Sequence, residues 1–346
     1  MRIAQIAPLY ESVPPHGYGG TERVVSYLTE ELVRQGQDIT LFASGDSVTT
    51  AKLVPCCPRS LRLGKSVDPL AHHFVMLEQL FKHAADFDII HFHIDYLHFP
   101  LSRRTTVTQV TTLHGRLDLA DLPPLYREFN DMPLISISDD QRTPLAFANW
   151  QGTVYHGLPT NLFTFREQPD EYLAFLGRIS PEKRVDRAIE IAKRTGRKLN
   201  IAAKVDRVDR YYFNKNIKPL LDHPLIEYIG EIGQQAKDEL IGGALALLFP
   251  IDWPEPFGLV MIEALACGTP VLAFRCGSVP EVITDGVTGF IVDDIEEAVK
   301  CVKKLGRVSR VKCRQEFETR FTDRRMAHDY IEVYEKVLRR LKQRAA

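Results

Sequence analysis

The sequence predicts an α/β protein that has two domains, each with a parallel sheet. Residues 3–44 alternate between strand, glycine-containing loop, helix and strand, which is the βαβ unit of a parallel sheet. A second alternation of strands and helices begins at Tyr172. A chain of 346 residues is long enough for two domains of ordinary size. We predict domains at residues 1–160 and 161–322, followed by a terminal helix at 323–346.

Composition narrows the class of protein. Hydrophobic residues make up 45% and charged residues 26%, which is typical of a globular protein. The net charge of −1 argues against nucleic acid as a partner. Met1 leads directly into a strand rather than a signal peptide, and no apolar run is long enough to span a bilayer. Six cysteines without a C-x2-C pair are expected to be free thiols. We therefore expect a cytoplasmic protein.

The first βαβ unit carries a candidate ligand loop. After the strand at 3–7, a loop reaches Gly19 and Gly20, and Thr21 is the predicted N-cap of a helix that ends at Gly36. Parallel sheets bind ligands at such loops. The two glycines would let backbone N–H groups approach a phosphate or a sugar closely. No G-x-G-x-x-G motif is present, which argues against a nicotinamide dehydrogenase.

The rest of the first domain is predicted to contain further strands and one long helix. The predicted strands are residues 38–44, 87–92, 107–113 and 133–138, with a helix at about 70–85. His91 and His93 alternate on one strand and could bind a metal, but no carboxylate or cysteine has suitable spacing. His114 follows the next strand. We predict no metal site at these histidines.

The second domain is predicted to contain four strands before its central stretch. Strands are expected at 172–176, 198–203, 226–230 and 244–250, with helices at 185–194 and 237–242, and later at 296–305 and 323–341. The first of these strands leads into the loop GRISPEKR, which contains Arg178 and Lys183. Taken alone, such cations are usually solvated surface residues.

The stretch Glu255–Phe274, EPFGLVMIEALACGTPVLAF, is predicted to be a helix followed by a short buried strand at 271–274. Pro256 suits the first helical position, and Gly268 suits the C-terminal cap. Glu255 would then lie at the helix start and Glu263 about 12 Å further along its axis. The N–H groups of a helix start attract anions and hydroxyl oxygens. The carboxylates of the two glutamates could in addition accept hydrogen bonds from hydroxyl groups. The alternative is that Glu255 interacts only with the helix dipole and Glu263 is solvated.

This stretch resembles the E-x7-E signature of retaining glycosyltransferases of family four, which have the two-domain GT-B fold. The following CGSVPEVITDGVTGFIV, the early YGGTERVVSYLTEELVRQG and the strand that ends in T-x-H at His114 also resemble that family. The resemblance implies two Rossmann-like domains whose parallel sheets face each other across a cleft. It implies acceptor binding by residues 1–160, donor binding by residues 161–322, and a last helix that can cross back to the first domain.

The resemblance also implies roles for individual residues. Arg178 and Lys183 would hold a donor diphosphate, as fixed cations that stabilise the charge of a departing phosphate. Glu263 would bind the ribose, and Glu255 the sugar hydroxyls. The first domain would contribute a catalytic histidine, His114. The remaining donor-binding positions are Gly19, Gly20 and the backbone N–H groups of Phe257, Gly258 and Leu259.

Two positions depart from the family pattern. The family often has Asn-Gly where this chain has His156-Gly157, and it more often has a glycine-rich turn where this chain has Lys204 and Asp206. The second departure falls where the family usually makes backbone contacts to the nucleoside. The sequence does not assign a role to His156 or Lys204.

The expected function is retaining transfer of a hexose, of glucose or mannose type, from a nucleotide-diphosphate sugar to a hydroxyl acceptor, soluble or lipid-linked. The leaving phosphate oxygen would take the acceptor's proton, so no separate base is needed. No D-x-D motif follows a suitable strand, so we predict no metal and no cofactor. Two alternatives remain: a non-catalytic nucleotide-sugar-binding subunit, and another GT-B enzyme such as an epimerase or a disaccharide phosphorylase.

The end of the last helix is basic. Its cations could contact acidic lipid, although a solvated helix end is the favoured interpretation. These residues are Lys336, Arg339, Arg340, Lys342 and Arg344.

Overall fold

The computed structural model describes residues 1–17 and 19–345, except for the side chains of residues 341, 342, 344 and 345. The chain divides into two compact units. Unit 1 contains Met1–Pro159 together with the segment that begins at Asp323, and unit 2 contains Thr160–Thr322. The last helix is therefore grouped with the first part of the chain.

Unit 1 is built on a seven-stranded parallel sheet with the order β3-β2-β1-β4-β5-β6-β7. Its strands are β1 (Arg2–Ile6), β2 (Asp38–Ser44), β3 (Lys52–Cys57), β4 (Ile89–Phe92), β5 (Gln109–Thr112), β6 (Leu134–Ser136) and β7 (Trp150–Thr153). The helices of its first segment are α1 (Gly20–Arg34), α2 (Pro69–Lys82), α3 (Phe99–Ser102) and α4 (Leu122–Glu128).

The strand order creates a switch point beside β1. Ile3 of β1 pairs with Ile39 of β2 on one side and with Ile89 of β4 on the other. Ligands of doubly wound sheets bind at the carboxyl ends of strands near such a point. The strand ends nearest it lead to the loop that contains Gly19 and to His93, and the end of β5 leads to His114.

Two local predictions for unit 1 were wrong. The N-cap of α1 is Gly19, and Thr21 is already the second residue of the helix. The strand β3 was not predicted, because Pro55 interrupts its short apolar run. It is nevertheless a strand because it lies at the edge of the sheet, where proline is tolerated.

Unit 2 is built on a six-stranded parallel sheet with the order β10-β9-β8-β11-β12-β13. Its strands are β8 (Tyr172–Arg178), β9 (Lys198–Lys204), β10 (Ile226–Gly230), β11 (Ala246–Phe249), β12 (Val271–Phe274) and β13 (Gly289–Val292). Its helices are α5 (Val185–Thr195), α6 (Arg210–Tyr212), α7 (Gln234–Gly243), α8 (Leu259–Cys267), α9 (Val279–Val282), α10 (Ile295–Val302) and α11 (Arg310–Arg320). The last helix of the chain, α12 (Asp323–Ala345), belongs to unit 1.

The sheet of unit 2 repeats the topology of unit 1. Its switch point lies between β8 and β11, whose carboxyl ends lead to the segments 178–184 and 250–258. The core is formed by the strands and by the buried faces of α5 and α10, and it includes Leu173, Ile189 and Val302. The predicted cations and glutamates therefore belong to a sheet whose topology favours ligand binding at this edge.

The start of α8 was predicted wrongly. The helix begins at Leu259 rather than at Pro256, because Gly258 adopts a left-handed backbone with φ of 78°. A side chain at that position would be strained, and a Cβ built there would lie 3.0 Å from the ring of Phe249. The helix α11 was not predicted either, since its sequence RVKCRQEFETR has little apolar periodicity.

Candidate functional site

The segment after β8 presents the two predicted cations in different ways. Arg178 is the last residue of β8, whereas Lys183 ends a short 3₁₀ turn formed by Pro181–Lys183. Arg184 then takes a left-handed backbone with φ of 51° and precedes α5. Its guanidinium binds Asp186 and lies 2.7 Å from Oδ2 of Asp252, which ties the turn to the segment after β11.

Lys183 and Glu255 form an ion pair at the carboxyl edge of the sheet. The Nζ of Lys183 donates a hydrogen bond to Oε2 of Glu255, and both side chains are largely buried. The indole Nε1 of Trp253 donates to the same oxygen at 3.0 Å. The ammonium also lies 5.1 Å from the centre of the Trp253 ring, within the range of a cation–π interaction. The site thus combines a cation, a carboxylate and an aromatic face.

The segment that carries Glu255 is fixed by the turn after β12. The backbone N–H of Ser278 donates to the carbonyl of Glu255 at 3.0 Å, and its hydroxyl donates to the carbonyl of Phe257 at 2.8 Å. Gly277 packs against the same backbone, because a Cβ added there would lie 2.4 Å from the nitrogen of Glu255. Gly277 and Ser278 therefore position Glu255, although neither contributes a charged group.

The two predicted glutamates do not share one helix. Glu255 lies outside α8, so the expected separation of about 12 Å along a helix axis does not apply. Phe257 and Gly258 precede the helix, and Leu259 is its first residue. Phe257 is buried against Phe321, so this stretch enters α8 in a fixed conformation.

Glu263 is a buried residue of α8 rather than a solvated one. Its side chain is 7% exposed, and its Oε1 lies 2.5 Å from Nζ of Lys237 on α7. Lys237 was not predicted as a site residue, because its only signal in the sequence is a cation on a polar helix. Its ammonium also lies 5.1 Å from the ring of Phe163. Each predicted glutamate therefore has its own lysine partner.

Arg178 is surrounded by carboxylates. Its guanidinium lies 2.5 Å from Glu182, 3.7 Å from Asp206 and 3.6 Å from Asp209. Burial raises the pKa of Asp209, while the nearby Arg178 acts to lower it. Lys204, at the departure from the family pattern, lies 3.1 Å from Asp206. This chain therefore places Asp206 and Asp209 beside Arg178 where the family more often has a glycine-rich turn.

Four histidines of unit 1 form a cluster at the carboxyl ends of its strands. We call His91, His93, His114 and His156 the histidine cluster. The Nδ1 of His93 lies 2.9 Å from Nε2 of His114, and the rings of His114 and His156 stack with centroids 5.3 Å apart. The rings of His91 and His93 are 4.0 Å apart. The cluster brings the predicted His114 together with His156, whose role the sequence did not assign.

The cluster is linked by hydrogen bonds to both ends of the chain. His93 Nε2 lies 2.7 Å from Oε1 of Gln5 on β1, and His91 Nδ1 lies 2.7 Å from the hydroxyl of Tyr334 on α12. His91 Nε2 lies 2.7 Å from the Thr112 hydroxyl. Both nitrogens of His91 and of His93 therefore have hydrogen-bonding partners in unit 1. Neither Gln5 nor Tyr334 has a motif that could have predicted this contact.

Burial keeps the cluster uncharged at neutral pH. It lowers the pKa of His91, His93 and His156 well below the usual value, and it lowers the pKa of His114 to about 3. Repulsion between neighbouring rings lowers the pKa of the first three further. A neutral imidazole offers one N–H donor and one acceptor nitrogen.

The glycine loop of unit 1 is bordered by an acidic side chain. A Cβ added at Gly19 would lie 2.9 Å from Pro15 and 3.2 Å from Oε2 of Glu22. Burial is the largest cause of the raised pKa of Glu22, and the charge of Glu11 adds to it. Gly20 is the first residue of α1. A carboxyl group beside Gly19 suits a sugar hydroxyl better than a phosphate.

Two further features lie on α12, the basic helix end and a group of side chains with metal-ligand spacing. Lys336 and Arg340 bind the backbone and side-chain oxygens of Gln151, at 2.6 and 2.9 Å. Arg339 is exposed, and the predicted side chains of Lys342 and Arg344 lie outside the described residues. Among residues 1–17 and 19–345, one group has metal-ligand spacing, formed by His328, Asp329 and Glu332 on α12. Within the same residues, no helix is long and apolar enough to cross a membrane.

Both units match known glycosyltransferase families. Residues 18–139 match the family described as Glycosyltransferase Family 4, and residues 163–317 match Glycosyl transferases group 1. Alpha-maltose-1-phosphate synthase of Mycobacterium tuberculosis is 32% identical over 117 residues, which are 29% of each protein. The chain spans less than half the length of the curated relatives compared with it, for example 45% of a 41.2 kDa protein of Klebsiella pneumoniae.

Solved structures share the complete fold. AviGT4, a glycosyltransferase involved in avilamycin A biosynthesis, is 22% identical with a TM-score of 0.76, and the match covers 98% of both chains. The Anabaena protein HepE, solved with UDP and glucose, is 18% identical with a TM-score of 0.74 over 97% of this chain and 100% of that one. The two Rossmann-like units therefore define a GT-B protein, and the predicted fold class is confirmed.

The two family matches fall in different units. Residues 163–317 match the group 1 glycosyltransferases and residues 18–139 match family four, so the resemblance seen in the sequence is confirmed.

Proposed function

We propose that this protein transfers a hexosyl group from a nucleotide-diphosphate sugar to a hydroxyl acceptor with retention of configuration. The observation that supports this best is the pair formed by Lys183 and Glu255 at the switch point of unit 2. A cation that stabilises phosphate and a carboxylate that accepts hydroxyl hydrogen bonds are the two groups that such a donor requires.

Donor binding would exchange the partners of this pair. A diphosphate carries more negative charge than one carboxylate, so Lys183 would turn from Glu255 to a phosphate oxygen. Glu255 would then be available to accept hydrogen bonds from the sugar hydroxyls, and Trp253 would retain its hydrogen bond to Oε2. In this proposal Arg178 supplies a second cation, Glu263 binds the ribose beside Lys237, and the N–H groups of residues 257–259 contact the sugar.

The chemical step follows from these assignments. The bond between the anomeric carbon and the leaving phosphate oxygen breaks, and the acceptor oxygen bonds to the same face of the sugar. The acceptor's proton passes to the leaving phosphate oxygen. Lys183 stabilises the charge that develops there, so the reaction needs neither a separate base nor, in our proposal, a metal ion.

The comparisons support the donor class. HepE was solved with UDP and glucose, and one relative is named alpha-maltose-1-phosphate synthase. We propose a glucose- or mannose-type donor and a hydroxyl acceptor, and we place the reaction in the cytoplasm.

A non-catalytic sugar-nucleotide-binding protein is the second candidate. The carboxylates around Arg178 favour it, since they compete with a diphosphate for the guanidinium. The two candidates differ in turnover, because the second predicts donor binding without transfer or donor hydrolysis.

A donor screen tests the proposal. We would measure the shift in Tm with UDP-, GDP-, ADP- and dTDP-sugars, with and without EDTA, and then follow the best donor by NMR for release of the nucleotide. Stabilisation that survives EDTA, followed by a product of retained configuration, is expected. Binding without turnover would favour the second candidate, and inversion at a ring carbon or phosphate-dependent turnover would indicate an epimerase or a phosphorylase.

A further inference from the structure

Nδ1 of His114 is a buried ring nitrogen of the histidine cluster. Within the described part of the chain, no group forms a hydrogen bond to Nδ1 of His114, although Nε2 of the same ring lies 2.9 Å from His93. A buried polar atom without a partner is unfavourable, so such an atom is a candidate for contact with a ligand. Gly115 borders open space, because a Cβ added there would meet no atom within 4 Å. A ligand therefore has room to approach beside His114.

Because the rings of the histidine cluster are neutral, the number of N–H protons on each ring is known. Because burial keeps the four rings uncharged, each ring carries a proton on one nitrogen and a lone pair on the other. A hydrogen bond between two such rings needs one donor and one acceptor. The state of one ring therefore determines the state of the next.

Gln5 sets the direction of the chain of hydrogen bonds. Its amide nitrogen lies 3.3 Å from the hydroxyl of Tyr334, and its carbonyl oxygen lies 2.7 Å from Nε2 of His93. A carbonyl oxygen only accepts, so His93 Nε2 carries the proton and donates it. Nδ1 of His93 is then the acceptor, and Nε2 of His114 donates to it.

It follows that Nδ1 of His114 carries the lone pair. We propose that Gln5 and His93 are positioning residues that hold His114 in the tautomer whose Nδ1 accepts a hydrogen bond from a hydroxyl of the bound sugar. The inference rests on the proposed function for the identity of the ligand, but the tautomer itself is a property of the protein alone. His114 would thus select a hydroxyl, which can donate, over a group that only accepts.

The wild-type protein provides the decisive measurement. Long-range ¹H–¹⁵N NMR of the ¹⁵N-labelled protein at neutral pH distinguishes protonated from unprotonated ring nitrogens, and a His114→Asn variant assigns the signals. We expect His114 to show an unprotonated Nδ1 and a protonated Nε2. The opposite tautomer, or an average of the two, would overturn the proposal. Because no donor is added, this result is independent of the proposed transfer reaction.

Two variants at one position test the role of Gln5. Gln5→Glu keeps an acceptor toward His93, so Nε2 of His93 should remain protonated. Gln5→Met removes that acceptor, and we expect mixed tautomers with donor affinity weakened roughly two- to tenfold, the contribution of one hydrogen bond. An unchanged His114 spectrum in Gln5→Met would show that Gln5 does not position the His114 tautomer. Should Gln5→Met not fold, the wild-type spectrum still decides the tautomer.

Discussion

The ammonium of Lys183 and the carboxylate of Glu255 are hydrogen-bonded although 72 positions separate them in the sequence. The pair joins the loop after β8 to the loop after β11, the two strands beside the switch point of unit 2. It therefore keeps a cation and a carboxylate together where the topology favours ligand binding.

The first prediction concerns Lys183. Replacing Lys183 with Ala removes the cation that we assign to the leaving phosphate, so turnover should fall roughly 10²–10³-fold, as when one preorganised donor is removed. Steady-state kinetics with the donor found in the screen would measure this. Lys198→Ala is the control, because Lys198 is exposed at the amino end of β9 and should leave turnover unchanged. Equal turnover in both variants would contradict the assignment.

The second prediction concerns the carboxylates around Arg178. In Glu182→Gln one negative charge is lost beside the guanidinium, and donor affinity should rise roughly threefold, since a unit charge about 7 Å away contributes ~0.6 kcal/mol in water. The gain should shrink with added salt. Isothermal titration calorimetry at two salt concentrations measures both effects. Arg178→Ala should weaken binding.

A surface pair provides the control for that experiment. Arg194 and Glu296 form a similar arginine–glutamate pair, with contacts of 2.6 Å, away from the proposed site. Glu296→Gln should leave donor affinity as it is. If Glu182→Gln weakens binding instead, Glu182 orients Arg178 more than it competes with the diphosphate.

The third prediction concerns the turn that supports Glu255. Gly277 has φ of 56°, and a Cβ there would lie 2.5 Å from the carbonyl oxygen of Glu255. Gly277→Ala should lower the free energy of unfolding by ~2–5 kcal/mol, through left-handed strain together with overpacking. It should also reduce turnover, because Glu255 must move.

Gly286→Ala separates the effect of left-handed backbone strain from the effect of overpacking against Glu255. Gly286 has a similar φ of 73°, but a Cβ there would meet no atom within 4 Å. This variant should lower the free energy of unfolding by only ~1–2 kcal/mol and leave turnover unaltered. Chemical denaturation and kinetics on both variants would measure the difference. Equal losses would mean that the contact with Glu255 is unimportant.

The fourth prediction concerns acid. The histidine cluster has lowered pKa values in the folded protein, so the unfolded chain binds more protons below its own histidine pKa of about 6.5. Stability is therefore complete above that pH and falls as the pH decreases toward 3, by ~2 kcal/mol per histidine between pH 7 and pH 5. Denaturation at several pH values should show this slope. His156→Asn should reduce this slope by about one proton.

The sequence predicted most of the strands, because most are short runs rich in apolar residues, whereas β3 was missed. The strands β2, β10 and β12 begin and end at the predicted residues. Pro256 did not predict the start of α8 correctly, because the left-handed backbone of Gly258 shifts the first helical residue to Leu259. The polar helix α11 lacks the periodicity that identifies a helix, and it was missed.

Residues of the candidate site were predicted only where they lie within a recognisable local motif. Arg178, Lys183, Glu255 and Glu263 stand in recognisable segments, and the structure gives each an oppositely charged partner. Those partners, such as Lys237, carry no pattern of their own. The partners of the histidine cluster are even harder to predict from the sequence, because Gln5 and Tyr334 are 329 positions apart and meet only in the folded protein.

The division of unit 1 into two segments affects how the chain folds as it is synthesised. Unit 2 is continuous, so all of its residues leave the ribosome before α12 does. Unit 1 must wait for that helix, since Tyr330 and Tyr334 of α12 bind Thr112 and His91. The hydrogen bond between the histidine cluster and α12 therefore forms last, after unit 2 has had time to fold. Until then, the face of the first sheet that α12 covers is available to chaperones.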